Sequence, residues 1–348
     1  MRKFNYSNLE HFNWDNEIVR YIAAIYYEKG KQEVCLKINP VRLDKLIDIA
    51  KLQSIEKSNE IEGISTSSSR LKQIVQEKIN PRNSDEKEIA GYRDVLNLVN
   101  ESFDAIPLTK NYILQLHKIL YEHTESLMGG KTKNVQNYIS AVHSDGTIET
   151  IFTPLAPYET EEALNIICDE YNKAISNTKI EPLILIPTFI HDFLCIHPFL
   201  DGNGRMSRLL TTLLLYRNNF VVGKYISLEA KIAKHKDLYY HALHLSKEGW
   251  HSGEENNIPF IKYLLNAILS AYRDFEDRYD LVDTKGSAYE TVKKAVHLLI
   301  GKFTKQDILK LCPFMSSSSV EKSLKSLCEN GDLRKVGTSK DSYYIALK

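Results

Sequence analysis

Apolar residues recur at intervals of three and four along most of the chain, which is the spacing of helices with one buried face. This periodicity predicts helices over residues 41–62, 108–123, 159–176 and 258–278. The further predicted helices cover residues 18–25, two segments of 70–105 that Asn80 and Pro81 separate, and residues 182–196, 237–247, 304–311 and 316–330. Residues 209–215 are apolar on nearly every face, which is typical of a helix enclosed by a core. We therefore expect a mostly α protein.

One segment in the middle of the chain alternates as strands do. Residues 138–142 and 147–152 flank the pair Asp145-Gly146, which suits a tight turn between antiparallel strands. This pattern predicts a β-hairpin in an otherwise helical region. An exposed hairpin edge can bind another chain as an added strand.

Length and charge exclude some broad classes. A chain of 348 residues is expected to divide into two or more domains. Lys+Arg and Asp+Glu are both 45, so the overall charge indicates no general preference for nucleic acid or for membranes. The five cysteines lack metal-like spacing, and we expect reduced thiols. Without a signal-peptide pattern or an apolar stretch that could span a bilayer, we expect a cytoplasmic protein.

The most informative stretch is residues 197–208, which lies directly before the predicted buried helix. Gly202 and Gly204 allow positive φ and a close approach of the backbone to a ligand. The free N–H groups at the start of the following helix favour an anion at this loop. These features predict an anion site at the start of the buried helix.

Charged residues in the same stretch add chemistry to that site. Arg205 and Arg208 are three residues apart on a helix, so we expect them to share a face and to reach one anion. Asp201 suits Mg²⁺, which one or two carboxylates and phosphate oxygens usually hold. His197 can accept a proton near neutral pH. Each residue alone has a structural explanation, but together they predict a site for a polyphosphate and a nucleophile.

Residues 197–208 resemble the Fic family signature, His-Pro-Phe-x-Asp-Gly-Asn-Gly-Arg-x-x-Arg, at all nine specified positions. The family transfers part of a nucleotide, most often AMP from ATP, to a hydroxyl side chain of a target protein. The resemblance implies that His197 deprotonates the target hydroxyl and that Asp201 binds Mg²⁺. It implies phosphate or nucleotide contacts for Phe199, Gly202, Asn203, Gly204, Arg205, Arg208 and Tyr240, with the two arginines on the β- and γ-phosphates and Tyr240 near the adenine. Glycine at position 204 is typical of the nucleotidyl transferases of the family.

A second stretch, residues 58–63, lies at the end of the helix predicted over 41–62. Gly63 is a plausible stop, so Glu62 falls in the last turn, where the helix dipole disfavours a carboxylate by roughly 0.3–1 kcal/mol. A solvated glutamate tolerates that cost, so a purely structural role stays open on chemistry alone. The stretch resembles the inhibitory motif Ser/Thr-x-x-x-Glu-Gly/Asn of many Fic proteins. That resemblance implies that Ser58 and Glu62 pack beside the site and that Glu62 pairs with Arg208.

The predicted hairpin resembles the Fic flap, which holds the backbone of the target so that its hydroxyl faces the histidine. The flap residues that we expect to dock the target are Ile148, Thr150 and Phe152. Lys133 stands where arginine is usual, and Ala156 interrupts the expected prolines. The details of target docking therefore stay open.

The C-terminal residues form a different unit. From Gly286 onward they carry 11 Lys and Arg against 6 Asp and Glu, a net charge of +5. Two helices are followed by strands predicted at 333–336 and 343–347, which pair around Gly337 and Thr338. This order predicts a winged helix, a fold that can bind DNA through its second helix. That helix offers no arginine, so DNA binding and a protein-contact or dimerisation role both stay open.

The sequence thus predicts three parts within a mostly α fold. Residues 1–105 form an N-terminal helical region with the inhibitory motif, 106–282 a Fic catalytic core with a β-hairpin flap, and 283–348 a winged-helix domain. The expected function is autoinhibited transfer of AMP from Mg-ATP to Ser, Thr or Tyr of a target protein. The alternatives are removal of AMP at the same site and a DNA-binding regulator that senses nucleotide. Self-modification, DNA and a second copy of the chain are the other partner options, and no membrane partner is expected.

Overall fold

The computed structural model describes residues 2–38, 43–142, 146–282, 287–299, 301–337 and 342–347. Four predicted features lie outside these ranges: the start of a helix at Val41, Asp145 of the hairpin turn, the boundary at residues 283–286, and Thr338 of the C-terminal turn. Helices dominate the described residues, as the hydrophobic pattern predicts. Among these helices, none combines the length and the apolar character that crossing a bilayer requires.

Fourteen α-helices can be placed in the described ranges. Their bounds are α1 Asn16–Ile38, α2 Asp44–Ile61, α3 Ser68–Val75, α4 Ser84–Ser102, α5 Lys110–Leu120, α6 Pro157–Ile175, α7 Pro182–Ile196, α8 Asn203–Arg217, α9 Leu228–Lys234, α10 Lys236–Ser246, α11 Ile258–Val282, α12 Ala288–His297, α13 Lys305–Leu311 and α14 Ser317–Glu329. The sequence pattern predicted most of them within a few residues. It missed α9 and α12, which are short.

Helices α7 and α8 form the centre of the larger core. Every residue of α7 from Leu183 to Ile196 is buried, and α8 is buried from Arg205 to Tyr216. Helix α7 packs against α6, α8 and α11, while α8 also packs against α4. Pro182 begins α7, and Pro187 lies inside it. The buried helix predicted over residues 209–215 is confirmed, and it gives the loop between α7 and α8 a fixed support.

The flap hairpin is present between α5 and α6. Strand β1, Ile139–Val142, pairs antiparallel with β2, Ile148–Phe152. Ile139 faces Phe152 while Ser140 faces Thr150, so the register shifts by one residue between these pairs. The β2 side chains from Ile148 to Thr150 are exposed. The predicted hairpin is therefore confirmed, and its outer part extends from the helical body.

A second, smaller core lies at the C-terminal end. Strands β3, Lys302–Phe303, β4, Leu333–Val336, and β5, Tyr343–Ala346, form an antiparallel sheet in the order β3-β5-β4. Helices α12, α13 and α14 pack with it around a cluster of buried residues from Leu281 to Tyr344. These are the parts that a winged helix contains, and that assignment stays a prediction.

The other core is continuous from Phe4 to Phe275. It therefore extends across residue 105, where the sequence places a boundary between the N-terminal region and the catalytic core. Residues of both regions contribute to the same buried cluster, for example Ile55 and Leu210. The division at residue 105 stays a prediction.

A buried ion pair fixes the corner between α3 and α4. Arg70 donates to the carboxylate of Glu86, which also accepts from Thr66 Oγ1 at 3.0 Å and from the backbone N–H of Arg82 at 2.9 Å. The hydrogen bond from Arg70, followed by those from Arg82 and Thr66, lowers the pKa of Glu86 from 4.5 to about 2 against the effect of burial. The folded state thus favours the charged form of this group.

Glu86→Gln should lower the melting temperature by a few degrees at pH 7, because it removes a charge-assisted contact from a buried pair. A depressed pKa in the folded state contributes stability above the unfolded pKa, and that contribution is lost as the pH falls. The difference between parent and variant should therefore shrink between pH 4.5 and pH 2. Thermal unfolding followed by circular dichroism measures this difference in melting temperature. The control is Glu101→Gln, which changes an exposed residue of the same helix. A difference that persists below pH 2 would contradict the assignment.

Candidate active site

His197 ends helix α7 in a left-handed conformation, with φ of +52°. Its Nδ1 lies 3.1 Å from the carbonyl oxygen of Leu194. A carbonyl only accepts, so Nδ1 carries the hydrogen, and the lone pair is on Nε2. Burial lowers the pKa of His197 from 6.5 to about 4. The imidazole is therefore neutral at physiological pH and suited to accept a proton.

The loop after His197 is held by its own side chains. Asn203 Oδ1 accepts from the N–H of Phe199 at 2.9 Å, and Asn203 Nδ2 donates to the carbonyl of Phe199 at 2.8 Å. The ring of Phe199 is buried and stacks on His117, with 3.6 Å between ring centroids. The side chains of Phe199 and Asn203 thus shape the loop, and the nucleotide contacts that the resemblance implies for both residues stay predictions. His117 is a core residue whose two ring nitrogens both have hydrogen-bond partners.

Asp201 carries a charged carboxylate at the edge of the loop. Its Oδ2 accepts from the hydroxyl of Tyr121 at 2.6 Å, and Arg205 lies 3.3 Å from the same oxygen. Burial raises the pKa of Asp201. The hydrogen bond from Tyr121 and the charge of Arg205 act in the opposite direction, and the net shift of this pKa is downward. The side chain keeps 60% of its surface exposed, so one carboxylate is accessible to a cation.

The two arginines of helix α8 point to different partners. The guanidinium of Arg205 is 1% exposed, lies 2.7 Å from Glu88 of α4, and donates to Tyr121 at 2.8 Å. The two arginines thus contact different groups in this structure, and the expectation that both reach one anion stays a prediction. Arg205 instead supports Asp201 and Tyr121 from below the loop.

Arg208 contacts the end of helix α2. Its Nε donates to Ser58 Oγ at 2.7 Å, and its terminal nitrogen donates to the Ser58 carbonyl at 2.9 Å and to Glu62 Oε1 at 2.7 Å. Ser58 is fully buried, and Glu62 follows directly after α2 as its C-cap. Burial lowers the pKa of Arg208, but Glu62, Tyr239 and Tyr92 together outweigh burial, so the net shift of this pKa is upward. The pairing that the sequence predicted is thus present.

Glu62 also touches the start of helix α8. A Cβ added to Gly204 would lie 2.2 Å from Glu62 Oε1, so the carboxylate rests against the glycine backbone. Gly202 precedes the helix with φ of +83°, a conformation that favours glycine. The first turn of α8 is the position at which the sequence predicts an anion. In this structure the Glu62 carboxylate lies at that position.

A cavity of about 570 Å³ opens above the loop. It is lined by residues of the loop, the flap, α10 and the end of α2; these include His197, Asp201, Asn203, Gly204, Arg208, Glu62, Ile151, Phe152, Tyr240 and Lys247. Tyr240 is 44% exposed and lies in this wall, and its contact with the adenine stays a prediction. Phe152 of the flap also lines the cavity, whereas Ile148 and Thr150 lie on the exposed outer part of the flap.

Several residues of the site were not predicted. Tyr121 and Glu88 anchor Asp201 and Arg205, Lys236 donates to the carbonyl of Ile61 at 2.6 Å, and Lys247 donates to the carbonyl of Ile151 in the flap. The two residues of each such contact lie far apart in the chain, up to 175 positions for Lys236 and Ile61, so no local pattern could have indicated these contacts.

Comparison with known sequences agrees with this geometry. A sequence model of the Fic/DOC family matches residues 107–215, which include the flap, α7, the loop and most of α8. This part of the chain is thus a Fic/DOC domain.

The named relatives that this chain matches are distant. A Fido domain-containing protein of Dictyostelium discoideum is 28% identical over 127 residues, which are 36% of this chain and 84% of that protein. The protein adenylyltransferase Fic of Nematostella vectensis is 26% identical over 198 residues, 56% of this chain and 44% of the relative. That of Drosophila willistoni is 26% identical over 222 residues, 62% of this chain and 39% of the relative. The chain thus spans less than half the length of these adenylyltransferases.

Solved structures show the same fold. A Fic family protein from Desulfovibrio desulfuricans superposes with a TM-score of 0.62 at 18% identity, over 96% of this chain and 97% of that one. A Fic domain containing signaling protein from Bacteroides thetaiotaomicron gives a TM-score of 0.63 at 21% identity, over 76% of this chain and 100% of the other. The mostly α fold with a small antiparallel hairpin is therefore confirmed as that of Fic proteins.

Proposed function

We propose that this Fic protein transfers AMP from ATP to a Ser, Thr or Tyr hydroxyl of a target protein and releases pyrophosphate. The observation that carries the proposal is the neutral His197, whose Nδ1 is fixed by Leu194 and which lines a cavity next to the first turn of α8. The cavity holds both a base and a position suited to phosphate. The names of the Nematostella and Drosophila relatives support the same reaction.

In the proposed reaction the target hydroxyl oxygen attacks the α-phosphorus of ATP. His197 Nε2 accepts the hydroxyl proton as the new P–O bond forms, and the bond from the α-phosphorus to the bridging oxygen breaks. Pyrophosphate leaves with the electron pair of that bond. The N–H groups of Gly204 and its neighbours in the first turn of α8 stabilise charge that develops on the phosphate.

We propose Asp201 as the residue that holds Mg²⁺. Its exposed, charged carboxylate lines the cavity, and a single carboxylate suits an ion that takes its remaining ligands from phosphates and water. The metal, when bound, neutralises charge on the phosphates. Tyr121 and Arg205 orient the carboxylate, because both contact its Oδ2.

We further propose that Glu62 inhibits the enzyme. Its carboxylate occupies the first turn of α8 and engages Arg208, the cavity arginine that we assign to the γ-phosphate. A nucleotide in the productive position would bring its own negative charge next to Glu62. Release of Glu62 removes that repulsion and frees Arg208. Lys236 and Ser58 hold the end of α2 in the inhibiting position, since they bond Ile61 and Arg208.

The flap is proposed to position the target. Lys247 of α10 donates to the carbonyl of Ile151, and Phe152 packs against Trp250, so the base of the hairpin is fixed to the body. Its outer residues Ile148 and Thr150 are exposed and available to an added strand. A target segment paired there lies along the wall of the cavity that contains His197.

The position of the label in ATP tests the reaction. Protein incubated with ATP labelled at the α-phosphate should become labelled, while ATP labelled at the γ-phosphate should leave it unlabelled. Cell lysate supplies targets, and the Fic protein itself is the acceptor in a control without lysate. Transfer of the γ label would indicate phosphorylation, and loss of label from a pre-modified protein without transfer would indicate AMP removal.

For the C-terminal unit we propose contact with protein rather than DNA. On helix α14, Glu321 pairs with Lys305 at 3.1 Å and Glu329 pairs with Lys325 at 3.8 Å, so acidic residues offset its positive charge. We expect the full chain to bind duplex DNA weakly, and we expect this affinity to change less than about tenfold between 50 and 200 mM salt. A protein with many phosphate contacts loses about 10³-fold or more in affinity over the same range. Fluorescence anisotropy measures this affinity. A steep loss of strong binding with salt would favour DNA.

A further inference from the structure

We propose that Lys133 is a positioning residue that holds His197 in place for proton transfer by binding the backbone at the end of α7. The inference rests on the proposed function only for the identity of the reaction. Lys133 lies between α5 and β1 and does not line the cavity. It acts through the backbone on either side of His197.

The segment 133–137 binds four consecutive carbonyl groups around the histidine. Lys133 Nζ donates to Ile196 O at 3.1 Å, and the backbone N–H of Lys133 donates to Pro198 O at 2.8 Å. Asn137 Nδ2 donates to the carbonyls of His197 at 3.3 Å and Phe199 at 2.9 Å. Lys133 Nζ also donates to Asn137 Oδ1 at 2.9 Å, which joins the two side chains into one clamp.

This clamp meets a need of the local backbone. The last carbonyl groups of a helix lack N–H partners within the helix, and a cation at this end is favoured by the dipole. His197 is one of few non-glycine residues in the described ranges with positive φ, at +52°, a conformation that surrounding contacts must maintain. The Lys133 ammonium and Asn137 amide supply those contacts directly before and after the strained residue.

Burial of the charged Lys133 side chain costs free energy of folding, which a role at the site would explain. Its side chain is 2% exposed, and within the described part of the chain it forms no ion pair with a carboxylate. Burial lowers the pKa of Lys133 to about 8. Its charge also lowers the pKa of His197, in the same direction as burial. A buried ammonium that contacts only neutral oxygens beside the base fits a role at the site better than a role in general stability.

The clamp also connects the base to the flap. Asn137 is followed by Tyr138, which lines the cavity, and by β1 from Ile139. A target strand added to the flap is therefore placed relative to the same segment that places His197. Such a connection sets the distance between the acceptor hydroxyl and Nε2, and an error of 1 Å in such a distance can reduce a rate about 10²-fold.

The test compares Lys133→Met, which keeps an apolar stem without charge, with Lys133→Arg and with the exposed control Lys131→Met. We expect Lys133→Met to lower kcat about 10²-fold while KM for ATP changes less than about threefold, because the phosphate position is untouched. Lys133→Arg should recover most of kcat, since a guanidinium can donate to the same carbonyls. Lys131→Met should match the parent.

A second readout does not depend on activity. In ¹⁵N NMR of the full chain, His197 should show the Nδ1–H tautomer in the parent and in Lys133→Arg, and a mixture of tautomers in Lys133→Met. If Lys133→Met does not fold, Asn137→Ala should produce the same loss. Parent-like kcat together with a parent-like His197 spectrum in the folded variant would overturn the proposal. If Glu62→Gly shows no AMP transfer while Lys133→Met shows the expected spectral change, the proposed function is overturned and the positioning role stays supported.

Discussion

Replacing Glu62 with glycine should raise AMP transfer by about 10²-fold. Holding about 99% of the protein inactive requires only about 2.7 kcal/mol between its states. Stranding one partner of a fully buried ion pair typically costs about 3–5 kcal/mol. Arg208 is buried but the Glu62 side chain is 33% exposed, so this contact contributes less than that range, which is still of the order required. Without Glu62, the carboxylate no longer lies against Gly204, and Arg208 becomes free for the nucleotide. Self-modification with labelled ATP, at equal protein concentration, measures the gain.

Two further variants show whether the released arginine causes the gain. Glu62→Gly combined with Arg208→Ala should return to parental activity or below, because no guanidinium then reaches the γ-phosphate. Glu60→Gly is the matched control, since Lys57 on the helix surface is the one ion-pair partner of this exposed α2 residue within the described ranges. It should change the rate less than about twofold, as surface pairs contribute little. Equal rates in parent and Glu62→Gly would show that the end of α2 is purely structural.

His197→Ala should reduce transfer by about 10²–10⁴-fold, the usual effect of removing a general base. The phosphate position is formed by other residues, so ATP affinity should stay within about threefold of the parent. The loop should keep its shape, because Asn203 and Asn137 bond its backbone without the imidazole. Single-turnover transfer in the Glu62→Gly background separates the chemical step from nucleotide binding, which calorimetry measures.

The control for this variant is His241→Ala. His241 is exposed on α10 and does not line the cavity, so its removal should leave the rate unchanged. Parental transfer by His197→Ala would exclude the imidazole as the base. A loss of both transfer and ATP binding would instead assign it a role in building the site.

The sequence predicted those features of the protein that depend on residues close together in the chain. The periodic apolar residues of α7 and α8 predicted a buried support, and the asparagine- and glycine-rich loop before α8 predicted an anion position. Short elements such as β3, with two residues, carry too little pattern to be recognised. Their positions depend on pairing with strands that come much later in the chain.

The two arginines show what the spacing along a single helix leaves out. Residues three apart share a face of an isolated helix, but α8 is enclosed on all sides. Arg205 points towards Glu88 of α4, while Arg208 points towards Ser58 of α2, 150 residues earlier. Which carboxylate each arginine meets depends on how three helices pack, and spacing along one helix does not contain that information. The clamp by Lys133 was missed for the same reason.

Ser58, Glu62 and Arg208 belong to one chain, so the inhibition that we propose is a contact within one molecule. An equilibrium between contacts within one molecule does not depend on protein concentration, so diluting or overproducing the enzyme leaves the inhibited fraction unchanged. Raising the amount of ATP alone shifts the equilibrium only as far as ATP prefers the released state. A cell that needs a large response therefore requires a signal that binds or modifies the end of α2, and total activity then follows that signal rather than expression level.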